Sequence, residues 1–112
     1  MKSGLIRNGC VVTPGARLDG ASVVMRGGVV ERVVAAGLPL PKTDWTFDAA
    51  GRTVFPGFID VHTHGAVGYE ITDDDPKAVP SVAEAKLAEG VTRFCPTTLT
   101  LAEAQLAAAL RR

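Results

Sequence analysis

The sequence has no surplus of either charge: twelve lysines and arginines offset twelve aspartates and glutamates across 112 residues. That balance gives no electrostatic reason to expect nucleic acid or an anionic membrane as partner. No stretch approaches the roughly 18 uninterrupted apolar residues of a membrane-spanning helix. Residues 1–15 include one lysine and one arginine but no apolar run long enough for a secretory signal. Cysteine is scarce as well. Cys10 and Cys95 lie far apart and form no C-x-x-C pair. Their spacing argues against a zinc ribbon or a disulfide scaffold and fits a reducing compartment. These absences predict a soluble, cytoplasmic protein with neither membrane nor nucleic acid as partner.

What is present suffices for a core. Hydrophobic residues make up 46% of the chain, too many for a disordered segment. Residues 1–55 read as short strands. Residues 5–6 and 10–12 are β-prone, and Thr13-Pro14-Gly15 marks a turn. Residues 21–25 and 29–34 flank Gly27-Gly28, the pattern of a hairpin. Residues 37–41 read as a loop, and residues 46–48 and 52–55 as two more strands around the Ala49-Ala50-Gly51 turn.

From Gly57 the pattern becomes strand, helix, strand, helix, the opening of a parallel α/β array. Residues 57–64 form the first strand, and a helix follows that ends at Glu89 with Gly90 as its stop. Its start has two readings. Either Asp75 caps with Pro76 at the first helical position, or Ser81 caps and Glu84 closes a capping box. Residues 91–95 form the second strand. Thr100 and Glu103 make a further capping box, opening a helix that runs to Arg112. Two βα units cannot close a barrel of eight, so the chain reads as truncated.

The chain's only two histidines end the apolar strand Phe58-Ile59-Asp60-Val61-His62-Thr63-His64, which runs into Gly65. Strict alternation places Phe58, Asp60, His62 and His64 on one face, with Ile59, Val61 and Thr63 on the other, against helices. Residues at i and i+2 stand roughly 6.5–7 Å apart along a strand. Two imidazoles so placed can converge on one ion about 2 Å from each nitrogen. An H-x-H pair also occurs by chance, but in an α/β barrel this strand end is where catalytic residues sit. His62 and His64 are therefore candidate metal ligands. Asp60 is expected behind one of them, accepting its other N–H.

Several other residues have plainer expectations. Thr97 and Thr98 either face the site or satisfy backbone groups at the strand end. Asp73, Asp74 and Asp75 read as a solvated loop and helix cap in preference to a cation site. Cys95 reads as a small core residue and not a nucleophile. Gly65 and Gly68 serve backbone geometry.

The segment from Asp48 to Gly65, DAAGRTVFPGFIDVHTHG, resembles the signature of the amidohydrolase superfamily. Two further segments resemble the N-acetylglucosamine-6-phosphate deacetylases within it: the glycine-rich loop from Gly65 to Asp74, and the strand from Gly90 to Thr100 with its Pro96-Thr97 pair. The resemblance implies a (β/α)8 TIM-type barrel preceded by part of a small β-sandwich domain, divided here as 1–55 and 56–112. It implies a divalent metal, zinc foremost, with iron, cobalt, nickel and manganese as alternatives. Members with H-x-H on the first barrel strand can hold a second metal, whereas those with Gln and Asn hold one, and this chain resembles the former. The implied reaction hydrolyses N-acetylglucosamine 6-phosphate to glucosamine 6-phosphate and acetate, and a homodimer is implied at full length. The remaining ligands (a glutamate and two histidines) and the acid–base aspartate would lie beyond Arg112. A dihydroorotase-like or isoaspartyl-dipeptidase-like hydrolase is the alternative, as is a non-catalytic remnant. Two histidines supply half of a usual zinc site, so these 112 residues alone are expected to be inactive.

Overall fold

Strand β1 (Ser3–Thr13) organises everything before Gly57. It pairs antiparallel with β2 (Ala16–Arg26), and β2 pairs antiparallel with β3 (Val29–Val34). On its other edge β1 pairs parallel with β4 (Trp45–Asp48) and then with β5 (Thr53–Val54). The computed structural model describes residues 1–111, and it divides into a unit covering Met1–Pro56 and a second beginning at Gly57.

The β2–β3 turn is made by Gly27 and Gly28 at φ 60° and 84°. Two consecutive positive φ angles are what the favoured two-residue hairpin turn demands. Residues 5–6 and 10–12, expected as separate strands, belong to one. The irregularity between them is a bulge: Asn8 has φ 56°, and the register to β2 shifts on both sides of Gly9. A bulge interrupts the side-chain alternation, so one strand carries the pattern of two. On β2, successive residues Val23 and Val24 enter different clusters. Val24 packs with Leu5 and Val34, while Val23 joins Val11 and Ala21, flanked by Ile6, Met25 and Val33. The sheet is thus apolar on both faces.

In the second unit β6 (Phe58–Thr63) pairs parallel with β9 (Val91–Pro96). Between them run a small hairpin of β7 (Gly65–Ala66) and β8 (Tyr69–Glu70), then helix α1 (Ala78–Ala88). A second helix, α2 (Glu103–Ala109), follows β9. The architecture is mixed α/β. Among the described residues no helix is long and apolar enough to cross a membrane.

The start of α1 matches neither reading in full: the helix begins at Ala78 with Lys77 as its N-cap and no side-chain cap, so Pro76 precedes the helix and Ser81 lies inside it. Asp75 Oδ1 accepts the Lys77 backbone N–H at 2.8 Å, and the Asp75 carbonyl accepts that of Ala78 at 2.9 Å. Pro80 consequently falls in the first turn, where a missing N–H costs nothing. At the far end Gly90 takes φ 87° and donates to the Leu87 carbonyl.

Three expectations need correction. Thr100 does not cap α2. The N-cap is Ala102, with extended backbone (φ −60°, ψ 145°), and no side chain caps the helix. Glu103 becomes a first-turn residue, where its charge still suits the helix dipole. Helix α2 ends at Ala109, and Arg112 lies outside the described residues. Cys95 is exposed instead of buried. Finally, Ile59 and Val61 are not covered by a helix; they are 62% and 73% exposed. It is Asp60 that reaches α1, through Lys86. The β6–β9 register slips between Asp60 and Thr63, which breaks the strict alternation that placed Asp60 with the histidines.

Candidate metal centre

His62 is the penultimate residue of β6, and His64 follows the strand's end. Their rings meet edge to face, with centroids 4.8 Å apart and planes at 85°. The two Nε2 atoms approach to 3.1 Å. The opposite nitrogen of His64, Nδ1, lies 3.0 Å from the Thr97 carbonyl oxygen. A carbonyl only accepts, so Nδ1 carries the proton and Nε2 of a neutral His64 carries the lone pair. The 3.1 Å contact is then a hydrogen bond in which His62 Nε2–H donates, and an ion would take the place of that proton.

The residues fit such an ion. Nitrogens 3.1 Å apart can both sit about 2.0–2.1 Å from one metal. The N–H···O=C bond from the remote nitrogen is the usual support for a metal-binding imidazole. Among the described residues no group of three or more candidate ligands forms around the pair.

The surrounding backbone is built to present the pair. Thr97 N–H donates to the Thr63 carbonyl at 2.8 Å, locking the end of β9 beside the end of β6. The Ile71 N–H donates to the His64 carbonyl at 2.7 Å, so β8 closes over the residue after β6. Gly65 makes that closure possible: a Cβ there would lie 2.1 Å from the Tyr69 carbonyl oxygen. Val67 and Gly68, at φ 49° and 83°, supply the β7–β8 turn.

Asp60 lies on the backbone side of the site. Its Oδ1 accepts the His62 main-chain N–H at 3.1 Å, and its Oδ2 pairs with Lys86 Nζ at 3.2 Å. The His62 N–H, followed by Lys86, holds this carboxyl below its ordinary range. Both of its oxygens are thus directed at groups other than an imidazole N–H.

Thr97 acts through its carbonyl, while its hydroxyl donates to the Cys95 carbonyl at 3.1 Å. Thr98 lines a cavity of about 620 Å³ with Ile71, Asp73, Asp75, Val79 and Leu110. Asp73 and Asp75 serve the loop, accepting the Glu70 and Lys77 backbone N–H groups at 2.8 Å each. Sequence reasoning missed Lys86, because a lysine in a helix with acidic neighbours carries no mark of a half-buried partner 26 positions earlier.

Residues 46–103 match the amidohydrolase family, more than half of the chain. The chain belongs to the amidohydrolase family. This amidohydrolase is 36% identical over 84 residues to an N-acetylgalactosamine-6-phosphate deacetylase of Escherichia coli, covering 75% of the chain and 22% of that protein. It is 35% identical over 103 residues to the N-acetylglucosamine-6-phosphate deacetylase of Homo sapiens, covering 81% and 23% respectively. Its fold superposes on the N-acetylglucosamine-6-phosphate deacetylase of Pasteurella multocida with a TM-score of 0.86, at 23% identity over 97% of the chain and 29% of that structure. A D-hydantoinase and a dihydroorotase match as well, at 40% and 38% identity. The chain spans under a quarter of the length of these curated relatives.

Proposed function

We propose that this amidohydrolase, at its natural length, is a metal-dependent deacetylase of N-acetylglucosamine 6-phosphate, releasing glucosamine 6-phosphate and acetate. The observation that carries the reading is the convergence of His62 and His64 Nε2 at 3.1 Å, with His64 turned by the Thr97 carbonyl. His62 and His64 would be two ligands of a divalent ion, zinc foremost. When bound, such an ion polarises the amide carbonyl and lowers the pKa of a water.

The chain's own residues set this up. The Thr97 carbonyl fixes the His64 tautomer so that Nε2 points its lone pair inward. Asp60 holds the main chain of His62, in the supporting role proposed for it. The remaining ligands and the acid–base aspartate would come from later strands of a (β/α)8 barrel that β6, α1, β9 and α2 begin. The first unit would be part of a small β-sandwich. Two free thiols, Cys10 and Cys95, fit a cytoplasmic enzyme, and a homodimer is the proposed assembly.

The matches to a hydantoinase and a dihydroorotase keep a cyclic-amide hydrolase as the second reading. The protein at natural length, incubated in turn with N-acetylglucosamine 6-phosphate, its galactosamine isomer and dihydroorotate, separates the two. Acetate released fastest from the glucosamine substrate is the expected result. Ring opening of dihydroorotate without acetate release would replace this proposal with the second reading.

A further inference from the structure

We propose that Lys86 is a positioning residue for the candidate metal ligand His62, acting from helix α1 through the Asp60 carboxylate. The inference rests on the metal reading of His62 and His64 and extends it beyond the strand that carries them.

The starting point is the main chain of His62. Its N–H donates to the Asp60 side chain, in the stretch where the β6–β9 register slips. The position of this peptide therefore depends on where the Asp60 carboxylate sits. A carboxylate has two oxygens, and with Oδ1 on His62 the other must be held for the first to stay aimed. Lys86 Nζ holds it at 3.2 Å.

The lysine is not a solvated surface group. Its side chain is 16% exposed and that of Asp60 is 24% exposed. A lysine this covered requires partners, and it has two: Asp60 on the strand and Glu89 one turn along its own helix, each at 3.2 Å. Glu89 is 58% exposed and rests against water. The two pairs differ in consequence. Glu89 neutralises the lysine within the helix, whereas Asp60 passes the helix position on to the backbone of His62. Groups that orient a metal ligand typically alter metal affinity ten- to a hundredfold when removed.

The test is a cobalt(II) titration of the protein at natural length, read by the visible absorption of the bound ion. It is run on the native chain and on Lys86→Met, Lys86→Arg and Glu89→Gln, with thermal melting of each. Lys86→Met is expected to weaken cobalt about tenfold or more and to shift the visible band. Lys86→Arg should restore most of the affinity. Glu89→Gln, which leaves the Asp60 pair in place, should bind close to the native value.

Should Lys86→Met fail to fold, Asp60→Asn carries the test. Its amide oxygen still accepts the His62 N–H, but the charge that draws Lys86 is gone, and cobalt affinity should fall. Native cobalt affinity in Lys86→Met or Asp60→Asn, whatever the melting temperature does, would reduce the contact to a strand–helix clamp and overturn the proposal. Equal weakening by Glu89→Gln would overturn it too, by making helix stability the cause. A native chain that binds no cobalt would be a separate failure, that of the metal reading itself.

Discussion

His64 is gripped at both ring nitrogens, one by the Thr97 carbonyl and the other by His62, and neither grip depends on the Thr97 side chain. The Thr97 hydroxyl donates only to the neighbouring Cys95 carbonyl. Thr97→Val should therefore leave metal affinity at its native value, measured by competition with a chromophoric chelator. A tenfold loss would mean that the hydroxyl reaches the site. The same fact explains what could be read here from sequence. Two histidines at alternate positions of an apolar strand announce themselves by side-chain type. The group that fixes the tautomer of one is a carbonyl, which any residue at position 97 would supply. Asp60 was visible as a carboxylate near the pair, but its aim was not. The register slip between Asp60 and Thr63 turns it toward Lys86 and the His62 main chain, and no alternation rule contains that slip.

Elements announced by glycine were legible. Gly27-Gly28 and Gly90 lie where a positive φ is required, and glycine reaches it without the steric cost other residues bear. Elements announced by capping patterns were less so. Asp75 holds the turn that precedes α1 without capping the helix, and the Thr100–Glu103 box is never formed, because α2 takes Ala102 as its N-cap. Thr100→Ala should accordingly change stability by no more than about 0.5 kcal/mol in urea unfolding, the usual scale of an uninvolved surface position. A loss nearer 1 kcal/mol, typical of a missing cap, would show that Thr100 does cap α2. Strand β1 was read as two pieces because the Asn8–Gly9 bulge resets its alternation.

Across the whole molecule, carboxylates tie loops to strands. Asp44 accepts the Ser3 N–H at 2.6 Å and the Ser3 hydroxyl at 2.9 Å, and these bonds hold its carboxyl below the ordinary range. The Ala50 N–H, then Asn8 and Arg7, do the same for Asp48. With folded-state pKa values depressed, the unfolded chain binds more protons just below the ordinary range. The stability these groups contribute is complete above about pH 5 and is lost as pH falls through their folded pKa values. Melting temperature should be flat down to about pH 5 and then decline, and Asp44→Asn should shrink the decline. A decline of native size in Asp44→Asn would remove Asp44 from this account. The α/β character of the second unit was legible from the change of pattern after Gly57. The exposure of Ile59, Val61 and Cys95 was not, because it depends on which neighbours cover β6 and β9.

Metal content decides whether His62 and His64 together hold a divalent ion, as proposed. The most direct measurement is the metal content, by elemental mass spectrometry, of the natural-length protein and its His62→Ala and His64→Ala variants after dialysis against trace zinc. At least one bound ion per native chain is expected, with a marked loss in each variant and the fold retained by circular dichroism. Variants that keep the native metal content would contradict the proposal, and would leave the two histidines as a hydrogen-bonded pair at the end of a strand.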